Sequence, residues 1–185
     1  DFVLAIDGRD NSRLLVQERY EVLRAMFYHE THDADAYLDP PDADTPLFKP
    51  IDLMLQTATP LLTGNWQASS ETYETGDLAY GNANPAAPDY DSLADFIFAG
   101  DYVELKLPWQ LLNFSDPSRM TIHDDYYENY GVDDITIDTM YLGLTDGAAQ
   151  ERTPLYPAAL KGWGNTVSYH ERLKPSYYIL QKLWQ

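Results

Sequence analysis

The chain has 185 residues, 30 acidic and 12 basic, with a formal net charge of -18 at pH 7 and 44% hydrophobic side chains. An acidic field of this size repels nucleic-acid phosphates and anionic lipids, so we expect neither nucleic acid nor a membrane surface as a partner. The sequence contains no run of 18 apolar residues, so it does not predict a membrane-spanning helix. The absence of cysteine excludes disulfides, zinc–thiolate sites and thiol nucleophiles.

The first residues predict a β-hairpin. Phe2 to Asp7 is typical of a strand, Asp7 to Asn11 is rich in residues that tolerate a positive φ, and Ser12 to Gln17 predicts the returning strand. Apolar residues at helical spacing predict a short helix over Glu18 to Phe27. Residues 29–46 are acidic and rich in proline, which is typical of a long loop.

The clearest pattern lies between Tyr102 and Leu107. Apolar and polar residues alternate there, which indicates a half-buried strand, and Pro108 ends the pairing because it lacks a backbone N–H. We predict that this strand forms a hairpin with Leu93 to Ala99, closed by Gly100 and Asp101. The other predicted elements are strands at Ile51–Gln56, within Ala68–Tyr80, at Asp134–Leu144 and at the edge Leu155–Leu160, and a C-terminal helix over 174–185 that begins at Pro175.

Short strands separated by polar loops predict an all-β fold with short helices. We expect a single domain over residues 1–185, built as a β-sandwich or jelly roll rather than as a βαβ sheet. Long apolar helices that would alternate with strands are not predicted anywhere in the chain.

Two segments carry a resemblance to a known family. Glu104 to Trp109 reads ELKLPW, and the tail contains His170 to Lys174 followed by Tyr177 to Gln181. A strand that ends in Pro-Trp resembles the signature of β-sandwiches similar to family 9 carbohydrate-binding modules. The resemblance implies that this chain is the C-terminal region of a large bacterial carbohydrate-active protein. It also implies that an upstream segment or domain of the same parent protein supplies the first strands of the sandwich ahead of Asp1.

Sugar binding requires flat aromatic faces with amides and carboxylates around them. Trp66 and Trp163 lie in loops beside glycines, so their side chains have little local structure to bury them. Asn165 supplies an amide next to Trp163, and Tyr73 is a further aromatic candidate in a segment that the resemblance places in the sandwich. The alternative is that both loop tryptophans fold back onto the core.

Trp109 and Trp184 lie in apolar patterns, so we assign both to core packing rather than to a ligand. The sandwiches that share the Pro-Trp strand include some that bind haem, which would require a methionine ligand here.

Calcium is the one cofactor that the sequence suggests. Asp7, Asp10 and Asn11 crowd a single turn and could supply oxygen ligands for a structural Ca²⁺ ion. The acidic loop 29–46 is a second candidate. Neither segment fits the spacing D-x-[DN]-x-[DN]-G of calcium loops, so a solvated acidic surface is the alternative.

The sequence does not identify catalytic residues. A glycosidase needs two carboxylates across a cleft, and many acids could supply them. His170 to Lys174 misses the H-E-x-x-H zinc motif at its last position, and nucleophile-elbow, P-loop and dinucleotide motifs are absent. The four carboxylates considered for a glycosidase pair are Glu71, Glu74, Glu104 and Asp138.

We therefore expect a non-catalytic module that binds a polysaccharide or oligosaccharide and belongs to a secreted or surface protein of bacterial origin. The alternatives are an accessory or active-site-contributing part of a glycoside hydrolase, and a purely structural sandwich. An extracellular or cell-surface location follows from the same resemblance.

Overall fold

The structure is a computed structural model that describes residues 1–21, 41–56, 59–60, 67–68, 71–129, 133–146, 154–164 and 175–184. These residues form short strands in several antiparallel sheets with few helices, so the predicted all-β class is confirmed. Neither of the described α-helices has the length and apolar character that crossing a membrane requires.

The strands are two to five residues long and pair mainly with neighbours along the chain. Short 3₁₀ helices occupy Glu18–Tyr20 and Trp109–Leu112, and the α-helices are α1 (Tyr126–Asn129) and α2 (Pro175–Leu183). The strands are β1 (Phe2–Ala5), β2 (Arg13–Gln17), β3 (Phe48–Pro50), β4 (Asp52–Gln56), β5 (Thr59–Pro60), β6 (Gln67–Ala68), β7 (Glu71–Glu74), β8 (Phe96–Ala99), β9 (Tyr102–Leu105), β10 (Phe114–Asp116), β11 (Thr121–His123), β12 (Asp134–Thr136), β13 (Thr139–Leu142) and β14 (Tyr156–Ala159).

The predicted N-terminal hairpin is confirmed as β1 and β2, which pair antiparallel. Its turn is closed by Ser12, whose buried hydroxyl accepts a hydrogen bond from the Asp7 N–H and donates one to the Gly8 carbonyl. One hydroxyl therefore satisfies two backbone groups across the turn. The predicted turn is therefore held in place by this side chain.

Strand β2 is the centre of the N-terminal sheet. It pairs with β1 on one side and with β3 and the segment 76–78 on the other. The Leu14 N–H donates to the Gly76 carbonyl at 2.7 Å, and the Leu78 N–H donates to the Ser12 carbonyl at 3.0 Å. Because Gly76 has no side chain, its backbone approaches Leu14 closely: a Cβ on Gly76 would lie 2.3 Å from the Leu14 oxygen.

The hydrophobic core forms where this sheet meets the β8–β9 hairpin. Leu14, Leu78 and Phe96 are buried against one another. Tyr80 packs edge-on against Phe96, with ring centroids 5.4 Å apart. Partly buried side chains surround this centre: Phe2, Leu4, Ile51, Tyr80, Leu107, Leu111 and Leu112.

The predicted hairpin around Gly100 and Asp101 is also confirmed. Strands β8 and β9 pair in the register Phe96↔Leu105 and Ala99↔Tyr102, and Gly100 has a φ of 62°. Strand β9 ends at Leu105, two residues earlier than predicted, although the Lys106 N–H continues the same register by donating to the Asp95 carbonyl. The prediction of a half-buried strand is wrong, because all four residues of β9 are exposed. The following Leu107 packs against the core.

The single strand predicted over Asp134–Leu144 is wrong, because the chain forms two strands there. Strand β12 joins β10 and β11, whereas β13 pairs with β14. Between them, the Ile137 N–H donates to the Met120 carbonyl and the Asp138 carbonyl accepts from the Leu160 N–H. These bonds to opposite neighbours divide the segment between two sheets.

The remaining predictions have mixed outcomes. The edge strand over Leu155–Leu160 is confirmed as β14, and the C-terminal helix as α2. In place of the start of the helix predicted over Glu18–Phe27, the structure has a 3₁₀ turn at Glu18–Tyr20 that ends at Glu21, whose backbone is extended. Residues 22–40, with most of the predicted acidic loop, lie outside the described residues. The core assignment of Trp184 is wrong, since 84% of this residue is exposed.

We predict that Gly76→Ala destabilises the protein by about 1–3 kcal/mol, because the added methyl group collides with the Leu14 carbonyl rather than with a flexible side chain. Urea unfolding measures the loss. Gly100→Asn is the matched control, since its site is open and asparagine tolerates its positive φ. Equal midpoints for Gly76→Ala and wild type would contradict the close approach.

Candidate functional site

Trp163 is held at the surface by the two glycines beside it. The Gly164 N–H donates to the Ser118 carbonyl at 2.9 Å, and a Cβ on Gly162 would lie 2.4 Å from the same oxygen. Gly164 also has a φ of 62°, which favours glycine. The loop therefore docks its backbone on Ser118, and Trp163 itself is 52% exposed.

The docking point belongs to a turn that is braced by Asp116. One carboxylate oxygen of Asp116 accepts hydrogen bonds from the Ser118 hydroxyl at 2.6 Å and from the Ser118 N–H at 3.0 Å. The Arg119 N–H closes the turn by donating to the Asp116 carbonyl at 3.2 Å. The Ser118 hydroxyl bond is the largest cause that lowers the pKa of Asp116 below its usual value. We name residues 116–119 with 162–164 the tryptophan clip.

The structure describes two of the four predicted sugar-binding residues. Trp163 is exposed in the tryptophan clip, and Tyr73 is exposed on β7, where it pairs with Leu53 of β4. These two rings belong to different parts of the fold, because β4 and β7 form a separate two-stranded sheet. Trp66 and Asn165 lie outside the described residues.

The predicted calcium turn is exposed and carries a basic side chain. Asp7, Asp10 and Asn11 are accessible, and the guanidinium of Arg9 in the same turn lies 4.5 Å from the centre of the Tyr80 ring. Within the described ranges, no three His, Asp or Glu side chains converge to hold a metal ion. The assignment of calcium to Asp7, Asp10 and Asn11 stays a prediction.

The four carboxylates considered for glycoside hydrolysis are distributed over different strands. Glu71 and Glu74 share β7 at an odd spacing, which directs them to opposite faces of the strand. Glu74 is also engaged by Arg13, with N–O distances of 3.3 and 3.4 Å. Glu104 lies on β9, and Asp138 lies between β12 and β13.

An apolar groove lies between the end of the β8–β9 hairpin and the β13–β14 hairpin. Its volume is about 300 Å³ and every lining residue is apolar. Trp109 forms part of one wall, half-buried and packed edge-on against Phe114 at 4.7 Å. The lining residues are Leu105, Leu107, Trp109, Leu112, Met140, Leu142, Ala158 and Leu160. With the indole N–H of Trp109 as the one strong hydrogen-bonding side-chain group in its lining, this groove suits an aliphatic or aromatic group rather than a sugar.

One charged side chain lacks compensation. Asp124 is 8% exposed, and within the described part of the chain neither of its carboxylate oxygens has a hydrogen-bond partner. Its neighbour Asp125 instead accepts a hydrogen bond from Arg19, which raises the pKa of that guanidinium, and Arg19 also donates to the Pro41 carbonyl. The carboxylate without a hydrogen bond thus lies next to one that is paired with Arg19.

Sequence reasoning missed the apolar groove and the Asp116–Ser118 brace. The groove had a partial signal, because Leu105 and Leu107 alternate in the Pro-Trp strand. Met140 and Leu142 were not recognised, because their segment was predicted as part of one strand over Asp134–Leu144 with no partner assigned to it. For the brace, an aspartate two residues before a serine is a common turn pattern that does not indicate its partner loop.

Comparison of the chain with protein-family models, with curated proteins and with solved structures found no match. The resemblance to family 9 carbohydrate-binding modules therefore stays a prediction that rests on Glu104–Trp109 and on the tail.

We predict that Ser118→Ala raises the pKa of Asp116, because the variant loses the hydroxyl that stabilises the carboxylate. Asp116 has a lower pKa in the folded than in the unfolded protein, so its contribution to stability is present above the unfolded pKa, about 3.9, and is lost as the pH falls through the folded pKa. Near neutral pH, the free energy of unfolding should therefore be lower for the variant than for wild type. In acid, where Asp116 is protonated in both proteins, this difference should disappear.

Carboxyl-carbon NMR titration and urea unfolding at several pH values test this. Ser115→Ala is the control, since the Ser115 hydroxyl bonds with Thr121 instead of Asp116. An unchanged Asp116 titration in Ser118→Ala would refute the brace.

We predict that Asp124→Asn stabilises the protein by about 1 kcal/mol in buffer that contains a metal chelator, because it removes a buried carboxylate that has no hydrogen-bond partner among the described residues. The exposed Asp133→Asn, which changes the net charge equally, is the control for chain-wide electrostatics. Thermal melting measures the difference. A lower midpoint for Asp124→Asn than for Asp133→Asn would show that the carboxylate has a stabilising partner after all.

Proposed function

We propose that this chain is a non-catalytic carbohydrate-binding module of a larger secreted or cell-surface protein, and that Trp163 is its main sugar-stacking residue. The observation that carries the proposal is the tryptophan clip, which presents an aromatic side chain to solvent from a fixed backbone. The ligand class is a polysaccharide or oligosaccharide, and the resemblance to family 9 modules supports a bacterial parent protein.

The clip is well suited to this role for an energetic reason. A side chain on a mobile loop loses conformational entropy when it binds, whereas a backbone already held by Ser118 loses less. The indole of Trp163 offers a flat apolar face to the C–H face of a pyranose ring, and its N–H supplies a hydrogen-bond donor. Trp66, Tyr73 and Asn165 remain candidates for further contacts.

Two observations bear on the competing functions. The carboxylates on β7 point to opposite faces of one strand, so the geometry gives no support to a catalytic pair from Glu71 and Glu74. A structural module that packs against another segment of its parent protein is favoured by the exposed apolar side chains of the β13–β14 hairpin, such as Leu142 and Leu155. That role is the second candidate, and it is compatible with sugar binding at Trp163.

We predict that Trp163→Ala weakens binding to a retained polysaccharide about tenfold, which corresponds to roughly 1.4 kcal/mol. Affinity gel electrophoresis against a panel of soluble polysaccharides measures the retardation of each variant. Tyr141→Ala is the matched control, because it removes another exposed aromatic ring, outside the clip.

Retardation by at least one polysaccharide that Trp163→Ala loses and Tyr141→Ala keeps would support the proposal. Equal retardation of both variants, or no retardation of the wild type by any polysaccharide in the panel, would reject Trp163 as a stacking residue.

A further inference from the structure

We propose that α2 closes over the apolar groove of its own chain and seats the side chains of Leu180 and Leu183 there. The groove is open and its lining is apolar, while the helix exposes its own apolar side chains to solvent. The inference does not depend on sugar binding at Trp163.

The groove requires an apolar occupant. Apart from the indole N–H of Trp109, its lining offers no strong donor or acceptor side chain, so a polar ligand that entered it would lose most of its hydrogen bonds to water without replacement. A cavity of about 150 Å³ accepts one benzene-sized group. At about 300 Å³ the groove therefore has room for about two large side chains.

The helix presents such side chains. Leu180 and Leu183 are three residues apart and so lie on one face, with Ile179 beside them. All three are exposed, Leu180 by 47% and Leu183 by 73%. The charged Lys182 lies on the opposite face. A helix of nine residues is too short to be stable alone in water, where about 12–15 residues are marginal. Burial of its apolar face is therefore the expected source of its stability.

The occupant can come from the same chain. Leu160 lines the groove and Pro175 begins α2, so 14 residues connect them. An extended segment of that length spans up to about 50 Å, which brings the helix within reach of the groove. A tethered helix also has an effective concentration near the millimolar range, which favours it over a second molecule in dilute solution.

Charge favours the same occupant. The last 25 residues carry four basic side chains and one acidic side chain, in a chain whose net charge is -18. The tail is thus attracted to the acidic remainder of the protein, whereas two whole chains repel each other. The basic residues are Lys161, Arg172, Lys174 and Lys182.

Thiol cross-linking tests the closure, since the natural chain has no cysteine. Full-length protein with Ala158→Cys and Leu180→Cys places one thiol in the groove and one on the apolar face of α2. The matched control combines Ala158→Cys with Lys182→Cys on the polar face. We expect a short bismaleimide to give an intramolecular cross-link whose yield is independent of protein concentration and several-fold higher in the first pair.

Hydrogen exchange gives an independent readout. Leu142→Asp puts a charge in the groove wall, whereas Tyr141→Asp puts one on the opposite face of β13; both residues are exposed, so the fold tolerates either change. We expect faster exchange of the α2 amides in Leu142→Asp than in Tyr141→Asp.

Three results would overturn the proposal: equal cross-linking of the two cysteine pairs, cross-linked dimers in place of monomers, or α2 exchange that is the same in Leu142→Asp and Tyr141→Asp. Dimers would assign the groove to a second copy of the chain.

Discussion

The close approach of Gly76 to Leu14 is the constraint on which the rest of the described structure depends. Through it, β2 gains a partner from a segment far along the chain, and Leu78 follows into the core beside Leu14. The Ile51 carbonyl accepts from both Thr75 and Gly76, which ties β4 to the same point. Any side chain at position 76 would separate these segments.

The molecule buries few apolar side chains and displays many. Its central cluster of buried side chains is Leu14, Leu78 and Phe96, while large apolar residues on β13, β14 and α2 are exposed. Folded monomers expose scattered apolar residues without consequence, but contiguous ones usually meet a partner. The two features that carry our proposals follow this division: an exposed aromatic ring on the held backbone of the tryptophan clip, which we propose as a ligand contact, and an apolar groove, which we propose as the docking site of α2.

The parts of this fold that could be predicted from the sequence are those that local residues determine. Alternation and turn residues within about 15 positions were sufficient for the β1–β2 hairpin and for the hairpin at Gly100. The flanking glycines correctly indicated that Trp163 is exposed. The division of Asp134–Leu144 could not be predicted, because Met120 and Leu160 decide it from outside the segment. The exposure of Trp184 was missed for a related reason: helical spacing identifies an apolar face without showing what covers it.

Predominantly local pairing also has a kinetic consequence. Strands β8 and β9 are joined by two residues, and β10 and β11 by four, so these ladders close small loops and can form within microseconds. The bond between Leu14 and Gly76 instead closes a loop of some sixty residues and gains nothing until both ends have formed. We therefore expect the hairpins to form first. The joining of β2 to residues 76–78 is then the slow, cooperative step, and it brings the separate ladders together into one core.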